Sequence, residues 1–213
     1  MNKELRLGLT MRIVKAEGYD EIRDALAHDW YGFMQSALPE AEWLPIPNLG
    51  DSVNEFIGWW KINGFIITGG NDLFDAPIRD ETELAVVDYA VKNNLPVLGI
   101  CRGLQVICHY FGNKVEQCPV EDEHVATKHV INLVDSPVQE CGHEVLVNSF
   151  HDNCVGNKDN FSDVLKPFAF SHDGLVEAVY SKTNRIMGLM WHPERERPIT
   201  EFDKKLVRKL FNH

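Results

Sequence analysis

The chain has 213 residues, a formal net charge of −11 and 44% hydrophobic residues, with five Trp and eleven Phe among them. That much apolar surface offsets the entropy of ordering the chain, which excludes a disordered protein, and the length suits a single domain, 1–213, rather than two catalytic ones. The acidic balance excludes a general nucleic-acid surface, which needs a surplus of Lys and Arg.

Charges interrupt the opening stretch Met1 to Leu7, so it reads as no secretory signal, and no later apolar run approaches the ~20 residues of a membrane span. A cytoplasmic protein without membrane contact is expected. Leu5 to Met11 reads as a first strand. From Tyr19 to Ala37 the residues Ile22, Leu26, Trp30, Phe33 and Leu38 recur near helical spacing and predict a helix. Trp43 to Ile46 is a second strand, Ser52 to Ile62 a helix, and Gly64 to Thr68 an apolar strand ending in Gly69-Gly70-Asn71-Asp72. A third cycle follows, with a helix over Thr82 to Asn93, a strand over Pro96 to Ile100 and a helix over Arg102 to Phe111. Strands that are apolar on both faces and alternate with helices imply a parallel sheet covered by helices.

The second half changes character. Val130 to Val134, Glu144 to Phe150, Lys166 to Phe170, Leu175 to Tyr180 and Arg185 to Trp191 read as strands, with Ser181 to Asn184 as a hairpin tip. Thr200-x-x-Asp203 then caps a last helix carrying Phe202, Leu206, Leu210 and Phe211.

Gly99-Ile100-Cys101-Arg102-Gly103 lies where an apolar strand meets a helix, which is the pattern of a nucleophile elbow with sulfur in place of a hydroxyl. Small residues two before and two after the nucleophile let strand and helix approach, and the positive end of the helix favours an anionic sulfur. A thiol nucleophile needs a base and a partner to orient it. Trp191-His192-Pro193-Glu194 offers both, because side chains two apart on a strand share a face. Cys101, His192 and Glu194 are therefore the candidate catalytic residues. The backbone N–H groups of Gly70 and Arg102 are candidates for an oxyanion hole, and Gln105, on the same helical face as Cys101, for a substrate contact.

These three segments, 99–105, 191–194 and 69–72, resemble class I glutamine amidotransferase-like hydrolases, specifically the γ-glutamyl hydrolase branch called peptidase C26. The resemblance implies a flavodoxin-like three-layer fold, with a mostly parallel sheet, helices on both faces and, in the second half, an antiparallel β extension. It implies attack of Cys101 on a γ-glutamyl amide, a thioester intermediate, hydrolysis to glutamate and no cofactor or metal. It also brings Ser149, Phe150 and His151 to a loop bordering the glutamyl pocket, beside Gly69 and Asn71. The expected partner is a small γ-glutamyl substrate, and the resemblance leaves room for a homodimer.

Within the branch, His28-Asp29-Trp30 and His151-Asp152-Asn153 look less like the enzymes of γ-glutamyl-γ-aminobutyrate and more like a short group acting on γ-glutamyl-CDP-amidate in capsule phosphoramidate synthesis. Such a leaving group wants cations, and Arg12, Lys15 and Arg102 are the candidates. A glutaminase subunit serving a separate synthase is the alternative. His124, His129 and His143 lack the spacing of a metal site. Trp59-Trp60 reads as one core and one covering side chain, and Lys204, Lys205, Arg208 and Lys209 as the solvated face of the last helix.

Overall fold

Alternate residues of the central strands belong to two separate cores. Leu7, Leu9, Ile66, Leu98 and Ile100 pack on one side of the sheet, and Phe65, Ile67 and Val97 on the other. The period of two along an extended chain produces this division, and it requires helices on both faces.

The computed structural model describes residues 4–118, 125–138, 142–156 and 161–211. Its first half contains β1 (Arg6–Thr10), β2 (Arg12–Lys15), β3 (Ile22–Ala25), α1 (Asp29–Ala37), β4 (Glu42–Ile46), α2 (Val53–Trp60), β5 (Gly64–Ile67), α3 (Pro77–Asn93), β6 (Val97–Ile100) and α4 (Arg102–Tyr110). Its second half contains β7 (Val115–Gln117), β8 (Val125–Leu133), β9 (Glu144–Phe150), β10 (Asn153–Val155), β11 (Leu165–Phe170), β12 (Val176–Ser181), β13 (Ile186–Leu189) and α5 (Glu201–Phe211).

The large sheet runs β4-β1-β5-β6-β13-β12-β11-β8-β9. From β4 to β13 every pairing is parallel, and from β13 to β9 every pairing is antiparallel. The parallel part has the flavodoxin-like order 2-1-3-4-5, in which ligands bind beyond the carboxyl ends of the strands. Helices α1 and α5 cover one face through Trp30, Phe33, Leu206 and Leu210, while α2, α3 and α4 cover the other. Thr200 caps α5 as expected, its Oγ1 accepting the Asp203 N–H at 3.1 Å. None of the described helices is long and apolar enough to cross a membrane.

Several local expectations are corrected. The helix foreseen from Tyr19 is confined to Asp29–Ala37, and Ile22 lies 70% exposed on the antiparallel β2–β3 hairpin. Its helical spacing to Leu26 joins a strand residue to one in the loop between β3 and α1. Helix α3 starts at Pro77 rather than Thr82, since a proline in the first turn sacrifices no helical hydrogen bond. Strand β13 stops at Leu189, leaving Met190 and Trp191 outside it. Trp59 and Trp60 are 74% and 52% exposed, so neither is a core residue.

Candidate active site

The elbow is visible in the backbone. Cys101 follows β6 at φ 52° and ψ −105°, a conformation that L-residues rarely adopt, and it opens α4. Its N–H donates to Leu189 O at 2.7 Å, which fastens the turn to β13. A Cβ on Gly103 would lie 2.1 Å from the Ile67 carbonyl oxygen, and one on Gly99 would lie 2.4 Å from that of Gly103. The two glycines are required by these contacts, as the spacing around Cys101 predicted.

His192 comes from the adjacent strand end. Its Nδ1 lies 2.6 Å from Glu194 Oε1, and both side chains are buried. The pairing does not arise from strand alternation. Pro193–Arg195 form a 3-10 turn, and this tight turn brings the two side chains together. Burial by itself would lower the pKa of His192, but the neighbouring Cys101 sulfur and Glu194 override that and raise it to about 9. The imidazole is thus held as a cation beside the Cys101 sulfur and the Glu194 carboxyl group. A Cβ on Gly69 would stand 2.8 Å from His192 Cε1 and 3.6 Å from Cys101 Cβ, so a bare Gly69 is what lets histidine and cysteine share this space.

A residue to which sequence reasoning gave no role fixes the histidine. Asn148 on β9 brackets its backbone, with Oδ1 accepting the His192 N–H at 2.8 Å and Nδ2 donating to the His192 carbonyl at 2.9 Å. Trp191 is buried, stacks on Phe202 and donates Nε1–H to Asp203 Oδ1 at 2.8 Å. A buried Asn next to a predicted loop carries no sequence pattern, because its partner lies 44 positions away.

The Gly69-Gly70-Asn71 loop leaves β5 beside Cys101. Gly70 adopts φ 87°, which a glycine tolerates, and its N–H donates to no acceptor among the described residues. Asn71 uses its side chain internally: Oδ1 accepts Ile13 N–H at 2.8 Å and Nδ2 donates to Ile13 O at 3.0 Å, tying the β2–β3 hairpin to the loop. Arg102 places its backbone at the first turn of α4, but its side chain is buried and ion-paired with Asp80 and Glu83. Of the three cations foreseen for an anionic leaving group, Arg102 is therefore withdrawn into the protein. Lys15 is exposed on the hairpin and pairs with Asp20 at 3.6 Å. Arg12 is half-buried, packs its Cδ 3.2 Å from where a Gly70 Cβ would stand, and has no ion-pair partner among the described residues.

Gln105 is buried on α4, with Nε2 donating to Asn153 O at 3.3 Å and Oε1 accepting nothing among the described residues. His151 is buried near it, Nδ1 lying 3.1 Å from the same Asn153 carbonyl and Nε2 3.6 Å from Glu177. Ser149 is buried on β9, whereas Phe150 is 40% exposed, meets the His192 ring edge-on at 5.7 Å and carries the Arg195 guanidinium over its face at 4.3 Å. Asp72 accepts from Asn153 Nδ2 at 3.1 Å, and burial together with Asp152 and Asp75 raises its pKa. His129 faces Glu177 at 3.5 Å, His143 is exposed at the start of β9, and His124 lies outside the described residues.

The family signature Peptidase C26 matches residues 8–194. A γ-glutamyl-CDP-amidate hydrolase of Campylobacter jejuni is 31% identical over 196 residues, covering 89% of this chain and 90% of that one. A glutamine-hydrolysing GMP synthase of Wolbachia is 31% identical over 140 residues, covering 63% of this chain but 26% of its own length. In structure, a candidate GMP synthase A subunit from Thermoplasma acidophilum superimposes with a TM-score of 0.72 over 99% of this chain and 94% of the other, at 22% identity, a likeness of fold alone.

Proposed function

The chain belongs to the peptidase C26 family of class I glutamine amidotransferase-like proteins, as a cysteine-dependent hydrolase of γ-glutamyl amide bonds, and within that family we propose that Cys101, His192 and Glu194 form its catalytic triad. The observation that carries this reading is the convergence at the sheet's carboxyl edge of a strained elbow cysteine and a buried histidine whose Nδ1 is held by a carboxylate.

With Nδ1 engaged by Glu194, the remaining ring nitrogen, Nε2, handles the proton. The Cys101 sulfur attacks the γ-carbonyl carbon, and negative charge gathers on its oxygen, which the N–H groups of Gly70 and Arg102 receive. On collapse the C–N bond breaks while Nε2–H gives its proton to the departing nitrogen, leaving a γ-glutamyl thioester on Cys101. Neutral His192 then takes a proton from water. The hydroxide oxygen adds to the thioester carbon, the C–S bond breaks, and glutamate leaves with the thiolate–imidazolium pair restored. Gln105, Ser149 and His151 are the residues we assign to the glutamyl end, and Phe150 packs against the histidine.

As substrate we favour γ-glutamyl-CDP-amidate, from which the leaving group is cytidine diphosphoramidate. The full-length similarity to the Campylobacter jejuni hydrolase supports this, and so does Arg12, a cation beside the Gly70 loop without a protein counter-charge among the described residues. The measurement is glutamate release from purified protein given γ-glutamyl-CDP-amidate, glutamine or γ-glutamyl-γ-aminobutyrate, with Arg12→Gln alongside. A preference for the CDP-amidate that Arg12→Gln erases supports the assignment, and equal use of all three overturns it. The second reading, a glutaminase subunit, rests on the GMP synthase similarity and requires activity that appears only with a synthase partner.

A further inference from the structure

A single guanidinium holds three consecutive carbonyls of the loop beside the nucleophile. Arg79, fully buried on α3, donates from Nη2 to Thr68 O at 2.7 Å and Gly69 O at 3.1 Å, and from Nη1 to Gly70 O and, at 3.0 Å, to Asn71 Oδ1. The Gly69–Gly70 peptide is trans, so its C=O and N–H point in opposite directions. Drawing the Gly69 carbonyl onto Arg79 turns the Gly70 N–H away from Arg79.

The guanidinium is itself anchored. Its Nε donates to Glu83 Oε1 at 2.8 Å, an oxygen that also accepts from Thr10 Oγ1 at 2.8 Å at the end of β1. The other oxygen of Glu83 takes Arg102 Nη1, and Arg102 Nη2 pairs with Asp80. The loop of Gly70 and the residue Arg102 are thus referenced to one buried carboxylate. Two cations and two anions make the cluster neutral. Burial lowers the two guanidinium pKa values to about 10 for Arg79 and about 9 for Arg102, so both remain charged at neutral pH.

We propose that Arg79 is a positioning residue for the oxyanion hole, orienting the Gly70 N–H through the Gly69 carbonyl and sharing Glu83 with Arg102 so that the two donors keep a fixed separation. This rests on the reading of Gly70 and Arg102 as oxyanion donors. A lysine cannot replace it, because only the planar fork reaches three carbonyls and a carboxylate at once.

The test separates reactions of Cys101 that develop an oxyanion from those that do not. Acylation by γ-glutamyl-p-nitroanilide passes through an oxyanion, whereas alkylation by iodoacetamide does not. In Arg79→Lys the single-turnover acylation rate should fall about 10²-fold, the scale for losing one such donor, with substrate affinity and iodoacetamide rate nearly unchanged. If Arg79→Lys melts below assay temperature, Glu83→Gln serves instead, with the same signature at a smaller factor. Equal loss of acylation and alkylation makes Arg79 a mere support of the elbow and overturns the proposal, as does unchanged acylation. A wild-type protein that alkylates at Cys101 but is never acylated overturns the reading of the site itself, independently of Arg79.

Discussion

The 2.6 Å contact between His192 Nδ1 and Glu194 Oε1 is formed within three residues by a 3-10 turn, and both groups are buried. Burial alone would favour neutral histidine, but the sulfur of Cys101 and the carboxylate of Glu194 raise its pKa from 6.5 to about 9. A raised value means that the charged imidazole contributes stability fully below pH 6.5, and that the contribution disappears as pH climbs through about 9. In the proposed mechanism the same proton is the one offered to the leaving nitrogen. The alkaline limb of kcat/KM should therefore lie near pH 9 and move to lower pH in Glu194→Gln, as read from a pH–rate profile. A limb that stays in place would show that Glu194 does not set the histidine's charge.

Replacing Cys101 by alanine should leave the elbow folded, since the side chain stays small, while removing turnover by about 10⁶-fold, the scale seen when a triad loses its nucleophile. His192→Asn should cost about 10²- to 10⁴-fold, the share of general acid–base catalysis. Glutamate release and thermal melts on the same preparations check both. Turnover by Cys101→Ala at wild-type rate would remove the thiol from the mechanism.

Gly103→Ala tests the packing behind the elbow. Its Cβ would meet the Ile67 backbone oxygen at 2.1 Å, a contact no side-chain rotation relieves. The expected cost is about 3 kcal/mol or more, the upper range for overpacking, with a fall in Tm of roughly 2–4 °C per kcal/mol in a protein this size. Gly112→Ala makes a control for added volume, because nothing lies within 4 Å of its Cβ position, although its φ of 84° is itself strained.

Glu177 supplies a pH-dependent element beside the site. Burial would raise its pKa, but attraction from the imidazoles of His129 and His151, 3.5 and 3.6 Å away, brings it down to about 2, and Glu177 in turn raises His129 against the effect of burial. A depressed acid stabilises above its usual 4.5 and loses that as pH falls toward 2. A raised histidine stabilises below 6.5 and loses that as pH climbs past its folded value. The window in which both are charged and the attraction is fully present lies between these values. Glu177→Gln should therefore destabilise by about 3 kcal/mol, the scale for breaking a buried pair, and by more at pH 5.5 than at pH 8.5. Urea unfolding at the two pH values measures it, and an equal loss at both would contradict the charge assignment.

Much of the fold was legible because the information is local. The apolar strands at Gly64 to Thr68 and Pro96 to Ile100 announced a buried parallel sheet, and Gly99 and Gly103 announced the elbow through spacing alone. The hairpin at Arg12 to Ala25 was missed because Ile22 on β3, Leu26 in the loop after it and Trp30 on α1 together imitate one helical stripe. Arg79 was missed with it, since α3 was started too late, although Pro77 marks the first turn and Arg79–Glu83 is an i,i+4 pair.

By itself the sequence determined the alternation of strands and helices, the position of the elbow cysteine and the His-Pro-Glu segment proposed to serve it, because these are written in periodicity and in motifs a few residues long. The tertiary structure alone decided which groups hold those residues in place. Asn148 reaches His192 across 44 positions, and Arg79 closes on the loop after β5 only once α3 packs beside it. It also turned Arg102 inward and left Arg12 beside Gly70. The physical reason is that a buried polar side chain must find a hydrogen-bond partner wherever the fold presents one, and that partner has no fixed distance along the chain.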